Sequence, residues 1–472
     1  MSFIIYDISL LVLFAIFISI FLYKKRNNLK QEGILFLYKT KWGIKLINYI
    51  GGKYKKVLNF LSYISIGTGY ILMIGMIFIL FQTVYLYLTT SISQVIKMPP
   101  IAPLLPYFPK LFGLQSLFPP FYFIYFLFAL LIVATVHEFS HGIFAKKSGI
   151  KIKSTGFAFF KYFPAFFGAF VEQDEQQMKK SKKFDQMSVS SAGVFANVVT
   201  AILFYVILFL FFSFAFTASG IVFNTYAYSA VNTSEIISMN GILLKNNSYN
   251  NLLSLANETG FNKIKTNGGN YVSTKKVLLE QEQNQEIIIL YYDSPAINSN
   301  LSKIISELNG VKIDSIKKLQ ENLEKYSPGE EIEIKTVENG VVSVKEIILT
   351  EHPKIDEVAW LGIGFVNPKG GVLNKIIGFF PSYKKTNVYY EPNNNLSNFI
   401  KDFLWWVFVI NLLVALFNML PVGILDGGRF FYLTILSMTK SEKFAKRSFK
   451  IMTQLILLLF IAIMIKWVFS FL

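Results

Sequence analysis

Apolar residues in this chain gather into six long runs, parted by polar stretches. Runs of about 20 apolar residues, wound as helices, match the thickness of a bilayer's hydrocarbon core. They fall at about 4–23, 58–88, 121–145, 189–216, 403–420 and 451–472. One long hydrophilic segment, about 217–400, interrupts them. Inside it the pattern shortens to strand-like alternation. From Pro295 it reads as strand, turn, helix, a Pro328-Gly329 turn, then a hairpin through Asn339-Gly340. Ile236-Ile237-Ser238-Met239-Asn240-Gly241 echoes Ile304-Ile305-Ser306-Glu307-Leu308-Asn309-Gly310, so a second, divergent copy of this unit is expected. Residues 31–57 read as an amphipathic interfacial helix carrying Lys39, Lys41 and Lys45, and proline-rich 99–120 as an ordered loop over the bundle.

Composition sharpens the picture. The chain of 472 residues is 53% hydrophobic and 16% charged, against roughly 25% charged in an average soluble domain. That excludes a purely soluble protein, and 17% aromatic content excludes disorder. Cysteine is absent, which rules out a disulfide framework, a thiolate metal site and a cysteine nucleophile. Any metal must be held by His, Asp or Glu.

The net charge of +17 raises nucleic acid as a partner. The placement of the charges argues against it. Loops 24–57, 146–188 and 438–450 hold 24 of the 46 basic residues, whereas loop 89–120 holds only Lys97 and Lys110. This is the positive-inside pattern of six spans entered from an outer N-terminus. No positive region precedes the first run, and Lys24, Lys25 and Arg26 follow it, so it reads as an anchor rather than a signal peptide. The hydrophilic segment then lies outside. It holds five Asn-x-Ser/Thr acceptors, at Asn232, Asn246, Asn257, Asn300 and Asn395, in agreement with that placement.

The chemistry sits in the third run, which contains His137-Glu138-Phe139-Ser140-His141. Residues four apart share one helix face, so both imidazoles can reach one ion, with Glu138 beside them to take a proton from a metal-polarised water. Two of the chain's three histidines form this motif. Such a cluster in an apolar helix is costly unless buried, paired or metal-bound. A catalytic zinc site needs a third protein ligand. Asp426 is the candidate: Pro421 and Gly423 break the helix before it and Gly427-Gly428 follow. From that segment alone, a helix-capping aspartate accounts for it equally well. Asn418, Asn411 and Asn197 are further polar residues in apolar runs, each open to a site role or to an interhelical hydrogen bond.

The pairing of HEFSH with Asn418-x-x-Pro421-x-x-x-Leu425-Asp426-Gly427-Gly428 resembles the site-2 protease family, the intramembrane zinc metalloproteases of peptidase family M50. Ala192-Gly193-x-x-x-Asn197 resembles the family's G-x-x-x-N element. Gly168-Ala169-Phe170-Val171-Glu172, after Pro164, resembles its membrane-associated β-hairpin. The clear resemblance covers about 121–217 and 400–437, and the extra N-terminal spans look like archaeal and eukaryotic members.

The resemblance implies one Zn2+ per chain on His137, His141 and Asp426, with Glu138 as general base and Asn418 near the reacting carbonyl. Gly168, Ala169 and Phe170, with Asn197 and Asn411, are the candidates for substrate contact, the hairpin offering an edge strand to which substrate adds. The alternative for the hairpin is a seal at the membrane interface. The expected fold is a polytopic α-helical membrane protein of about six spans, with an inserted α/β PDZ-like extracytoplasmic domain and a short β-hairpin. In chain order it comprises two N-terminal spans with their loops (1–120), the first half of the catalytic membrane core (121–217), the PDZ-like segment (218–398), the second half of the core (399–437) and a loop with the last span (438–472). The implied function is hydrolysis of peptide bonds in or near transmembrane segments of membrane-anchored substrates at the cell membrane, downstream of a site-1-type protease. The PDZ-like segment implies a size filter. Rivals are a prenyl-protein type of membrane protease, whose third ligand is glutamate, an inactive PDZ scaffold, and a metal transporter, which needs more intramembrane carboxylates than these spans offer.

Overall fold

The computed structural model describes residues 3–89, 99, 104–163, 165–244, 249–281, 286–338, 340–366 and 378–469. The chain divides into two compact units, Met1–Phe211 with Asn398–Leu472, and Phe212–Ser397.

In the first unit, six helices among the described residues are long and apolar enough to cross a membrane. They are α1 (Phe3–Lys24), α3 (Lys55–Thr89), α4 (Phe123–Lys147), α5 (Lys183–Ala215), α6 (Ser397–Asn418) and α8 (Glu442–Phe469). The shorter helices among them include α2 (Ile44–Lys53) and α7 (Asp426–Thr439). Burial ranks the six. More than half of the α6 span, 56%, is covered by protein, whereas α1 and α8 are 11% covered and present apolar flanks such as Leu13, Phe17 and Ile461. Their uncovered apolar faces suit lipid, and α6 is central.

Polar contacts fix the interior helices. The start of α4 is held by a residue of another helix: Asp7 of α1, itself buried, accepts hydrogen bonds from the N–H of Phe123 (2.6 Å) and Ile124 (3.0 Å) and from the Tyr107 hydroxyl. These are the orphan donors of a helix N-terminus, where a carboxylate is also favoured by the helix dipole. Tyr122, the local cap position, supplies no side-chain bond. Trp406 of α6 donates to the Pro120 carbonyl at 2.9 Å. The far end of α4 is pinned by Lys147, whose buried ammonium reaches Asp185 of α5 and Ser62 of α3, each at 3.1 Å.

Residues 31–57 differ from the amphipathic helix expected of them. Only 44–53 is a separate helix, and 55–57 opens α3. Residues 29–40 form a hairpin, β1 (Leu29–Glu32) and β2 (Leu35–Thr40), turning through Gly33 at a positive φ of 59°. Its aromatic, alternating strand Leu35-Phe36-Leu37-Tyr38 pairs with β3 (Ile152–Phe160), from Leu35 opposite Phe160 to Thr40 opposite Thr155. This long-range pairing outweighs local helical spacing. With β4 (Phe167–Gln173) the sheet runs β1-β2-β3-β4, entirely antiparallel, with β1 and β4 as its edge strands. Pro164, before β4, lies outside the described residues, as do 90–98 and, in the proline-rich loop, 100–103.

The segment expected as the loop of 438–450 is also shorter. α7 runs to Thr439 and α8 starts at Glu442, with Lys440 in the left-handed region between them.

The second unit contains two six-stranded sheets, each with its own core. The expected repeat is present as topology. Strands 236–239 and 242–243, helix 249–255 and strands 262–266 and 269–273 follow the same order as 304–308, 311–312, helix 316–323, 331–338 and 341–348. The hairpin turns Asn240-Gly241 and Asn309-Gly310 all have positive φ, as a two-residue hairpin turn of mirror-image type requires. The match extends to hydrogen bonds: Asn240 Oδ1 accepts from the N–H of Lys263, and Asn309 Oδ1 from that of Glu333. Asn339 and the acceptor Asn246 lie outside the described residues.

Candidate metal centre

On α4, His137 and His141 stand one turn apart, both buried, with their Nε2 atoms 3.1 Å apart. Asp426 brings its Oδ2 to 3.0 Å from His137 Nε2 and 3.2 Å from His141 Nε2. These three form the one metal-type cluster found among the described residues. Ligands of a tetrahedral zinc, with bonds of about 2.0–2.1 Å, lie about 3.3 Å from one another. The triangle therefore fits such an ion, and its two nitrogens and one oxygen are donors zinc accepts.

The rings are oriented from behind. His141 Nδ1 faces the Val189 carbonyl at 2.6 Å, so its proton sits there and the Nε2 lone pair is left for a metal. His137 Nδ1 lies 3.1 Å from the Asn197 side-chain amide, whose other polar atom is buried without a partner. Exchanging the amide's oxygen and nitrogen puts the oxygen on His137 Nδ1–H, which frees Nε2 of His137 too. Asn197 is thus an interhelical hydrogen bond made to a proposed ligand rather than a residue lining the cavity.

Backbone approach sets the rest. Gly193 of α5 faces the pair: a Cβ there would lie 2.5 Å from His141 Nε2 and 2.7 Å from His137 Nε2. Gly427 and Gly428 lie against the 419–423 backbone, where a Cβ on either would overlap main-chain atoms. That contact folds α7 back so that its first residue, Asp426, faces the histidines. Leu425 holds the cap position, and the Asp426 carboxylate is on the imidazoles. The helix-cap reading fails on geometry.

Glu138 is turned toward the sheet. Its Oε2 accepts from the N–H of Val171 on β4 at 3.1 Å. The N–H of Val171 therefore points away from β3, and by strand alternation so does that of Ala169. Beside it, Lys39 of β2 donates to Glu172 at 2.7 Å, and with the Ser154 hydroxyl holds that carboxyl below the usual carboxylate range.

A cavity of about 460 Å³ opens over the cluster, lined among others by Leu130, Val133, Val414, Asn418, Gln173 and Arg429. Asn418 is therefore at the site. Asn411 is not: it is fully buried off the cavity, donating to Val407 of its own helix at 2.8 Å. Ala169 and Phe170 meet Glu138 in a separate crevice of about 20 Å³, and a Cβ on Gly168 would meet open space. His352 lies in the second unit, against Trp360. Sequence reasoning missed Val171 as the partner of Glu138, and missed Gln173 and Arg429 in the cavity. Arg429, one helical turn after Asp426, was the one with a readable signal.

The family model of Peptidase family M50 matches residues 125–463. The chain belongs to peptidase family M50, the site-2 protease family. A protein of Methanocaldococcus jannaschii, described as uncharacterized, is 25% identical over 425 residues, which cover 89% of this chain and 83% of that one. The M50 match takes in every helix that contributes to the cluster, and membership brings the class of membrane zinc metalloproteases.

Proposed function

We propose that this M50 member is an intramembrane zinc endopeptidase, cutting peptide bonds in or beside the transmembrane segment of membrane-anchored substrates. The observation that carries the reading is the His137–His141–Asp426 triangle with Glu138 beside it, in a cavity among apolar helices. Zinc, when bound, polarises the carbonyl and lowers the pKa of water. Glu138 takes a proton from the attacking water as its oxygen bonds to the carbonyl carbon. The C–N bond then breaks, and Glu138 passes the proton to the leaving amine. Asn418, lining the same cavity, is positioned to donate to the carbonyl oxygen.

A helical substrate must be held extended for cutting, and β4 is the strand to hold it. Its outward N–H groups lead to Glu138, so a strand added there delivers its backbone to the general base. Ala169→Pro tests this cleanly. It removes an outward donor and leaves the β3–β4 ladder, whose bonds fall on the alternate residues. It is expected to lower kcat/KM at least tenfold with zinc still bound; full activity would rule out strand addition at this position.

The charge asymmetry supports an outer N-terminus and an outer second unit in a cell membrane. The repeated units of that segment support a PDZ-like pair, acting as a size filter for substrates first trimmed by another protease. The founding test is zinc content and cleavage of single-span substrates in detergent. Wild type is expected to hold one zinc and cut, and Asp426→Ala to lose both. A wild type without zinc would end the metalloprotease reading.

A further inference from the structure

Arg429 is a half-buried cation lining the cavity that holds the metal-type cluster, and among the described residues it has no ion pair and no hydrogen bond. The carboxylate nearest in sequence, Asp426, is one turn away on the same helix and is engaged by both histidines. The cavity's other carboxylate, Glu138, accepts from Val171. Across the same cavity stands Gln173, the last residue of β4, whose Oε1 is buried without a partner. Two strong hydrogen-bonding side chains thus line the same space as the cluster with their capacity unspent. Buried polar atoms are ordinarily satisfied, so the Gln173 Oε1 calls for a ligand or a functional reason; Arg429, half-buried, keeps its five donors for whatever enters the cavity. The guanidinium fork suits a carboxylate, which it binds bidentately.

Building on the endopeptidase reading, we propose that Arg429 receives a carboxylate of the bound chain next to the cleavage position, while the Gln173 Oε1 accepts from an N–H of the same chain. Side chains three apart on a helix are separated by about 5–6 Å at Cβ, and an extended strand advances about 3.3 Å per residue. The receiving position therefore lies within roughly three residues of the cut bond. The carboxylate has two sources, an acidic side chain of the substrate or the new C-terminus of the product. A lipid phosphate is a weaker match, because the guanidinium shares its cavity with the cluster.

The test takes a single-span substrate cut by the full-length wild type and places Glu or Gln in turn at each of about three positions on either side of the cut. If the side chain is the ligand, Glu raises kcat/KM at least tenfold over Gln at one position. Arg429→Gln abolishes that ratio, and Arg429→Glu turns the preference to Lys. If the product is the ligand, the scan is flat, and product peptide with a free C-terminal carboxylate inhibits at least tenfold more strongly than its amide. Arg429→Gln then removes the difference. Zinc content and thermal midpoint report whether each variant is intact. Should Arg429→Gln lose zinc, Arg429→Lys, which keeps charge and loses the fork, is expected to retain a reduced ratio.

Ratios that are flat in wild type in both arms, or unchanged in the variants, overturn the subsite and leave the endopeptidase reading standing. So does an Arg429→Gln defect that appears only as altered dependence on anionic lipid. A wild type that cuts no substrate overturns both.

Discussion

Glu138→Gln is expected to stop hydrolysis while leaving one metal per chain in place. The carboxylate is not one corner of the ligand triangle, which His137, His141 and Asp426 complete without it. Its removal therefore spares the donor set. It also spares the local structure, because a glutamine oxygen can accept from the Val171 N–H as Glu138 does now. What disappears is the proton acceptor, and an amide cannot replace it at neutral pH. General acid–base catalysis contributes about 10²–10⁴-fold, and Glu138 serves both the attack and the leaving amine, so kcat should fall by on the order of 10³–10⁴. Zinc analysis beside single-turnover cleavage reads both halves of the claim. A variant that keeps zinc and still cuts at the wild-type rate would remove Glu138 from the chemistry. A variant that loses zinc would mean that the carboxylate holds the ion instead of acting on water.

The components of the site differ in how far the sequence discloses them. His137, Glu138 and His141 are legible because their relation is local: four residues are one helical turn, whatever surrounds the helix. Asp426 left two readings open, since a loop between two helices can aim its carboxylate at its own helix or at another. The decision lies in the close approach of Gly427 and Gly428 to the 419–423 backbone, a tertiary fact. The interfacial helix expected over 31–57 failed for the same reason. Its lysines are spaced plausibly for a helix, but the pairing of Leu35–Thr40 with β3 joins residues more than a hundred positions apart, and no local pattern reports that. The first three spans were read to within about three residues, whereas the fourth and fifth begin six residues, and the sixth nine residues, sooner than their apolar runs. There the helix continues into polar sequence, Glu442 to Lys450, which hydropathy alone assigns to a loop. Arg429 was visible as a charge close to Asp426; that it faces the cavity unpaired was not.

Gly193→Ala should empty the metal centre without unfolding the protein. The added Cβ would sit 2.5 Å from His141 Nε2, 2.6 Å from His137 Cε1 and 2.7 Å from His137 Nε2, all closer than real Cβ contacts. Neither ring is free to yield. His141 is tied to the Val189 carbonyl and His137 to Asn197, and both tethers belong to α5, the helix that carries Gly193 itself. If the rings turn away, the ligand triangle opens; if α5 backs off, it withdraws the two groups that orient the rings. Either response loses the ion, so zinc should fall well below one per chain and cleavage by at least a thousandfold. The helix does not suffer, since alanine in a helix interior is favoured over glycine by about 1 kcal/mol. A Gly75→Ala variant is the control, because a Cβ there meets nothing within 4 Å on α3. Circular dichroism melts should then place Gly75→Ala at or above the wild-type midpoint, and Gly193→Ala below zinc-loaded wild type by the stabilisation the ion supplies, but still folding cooperatively and metal-free. Full zinc occupancy in Gly193→Ala would mean that α5 can move without disturbing the ligands, and that the close approach is incidental to metal binding.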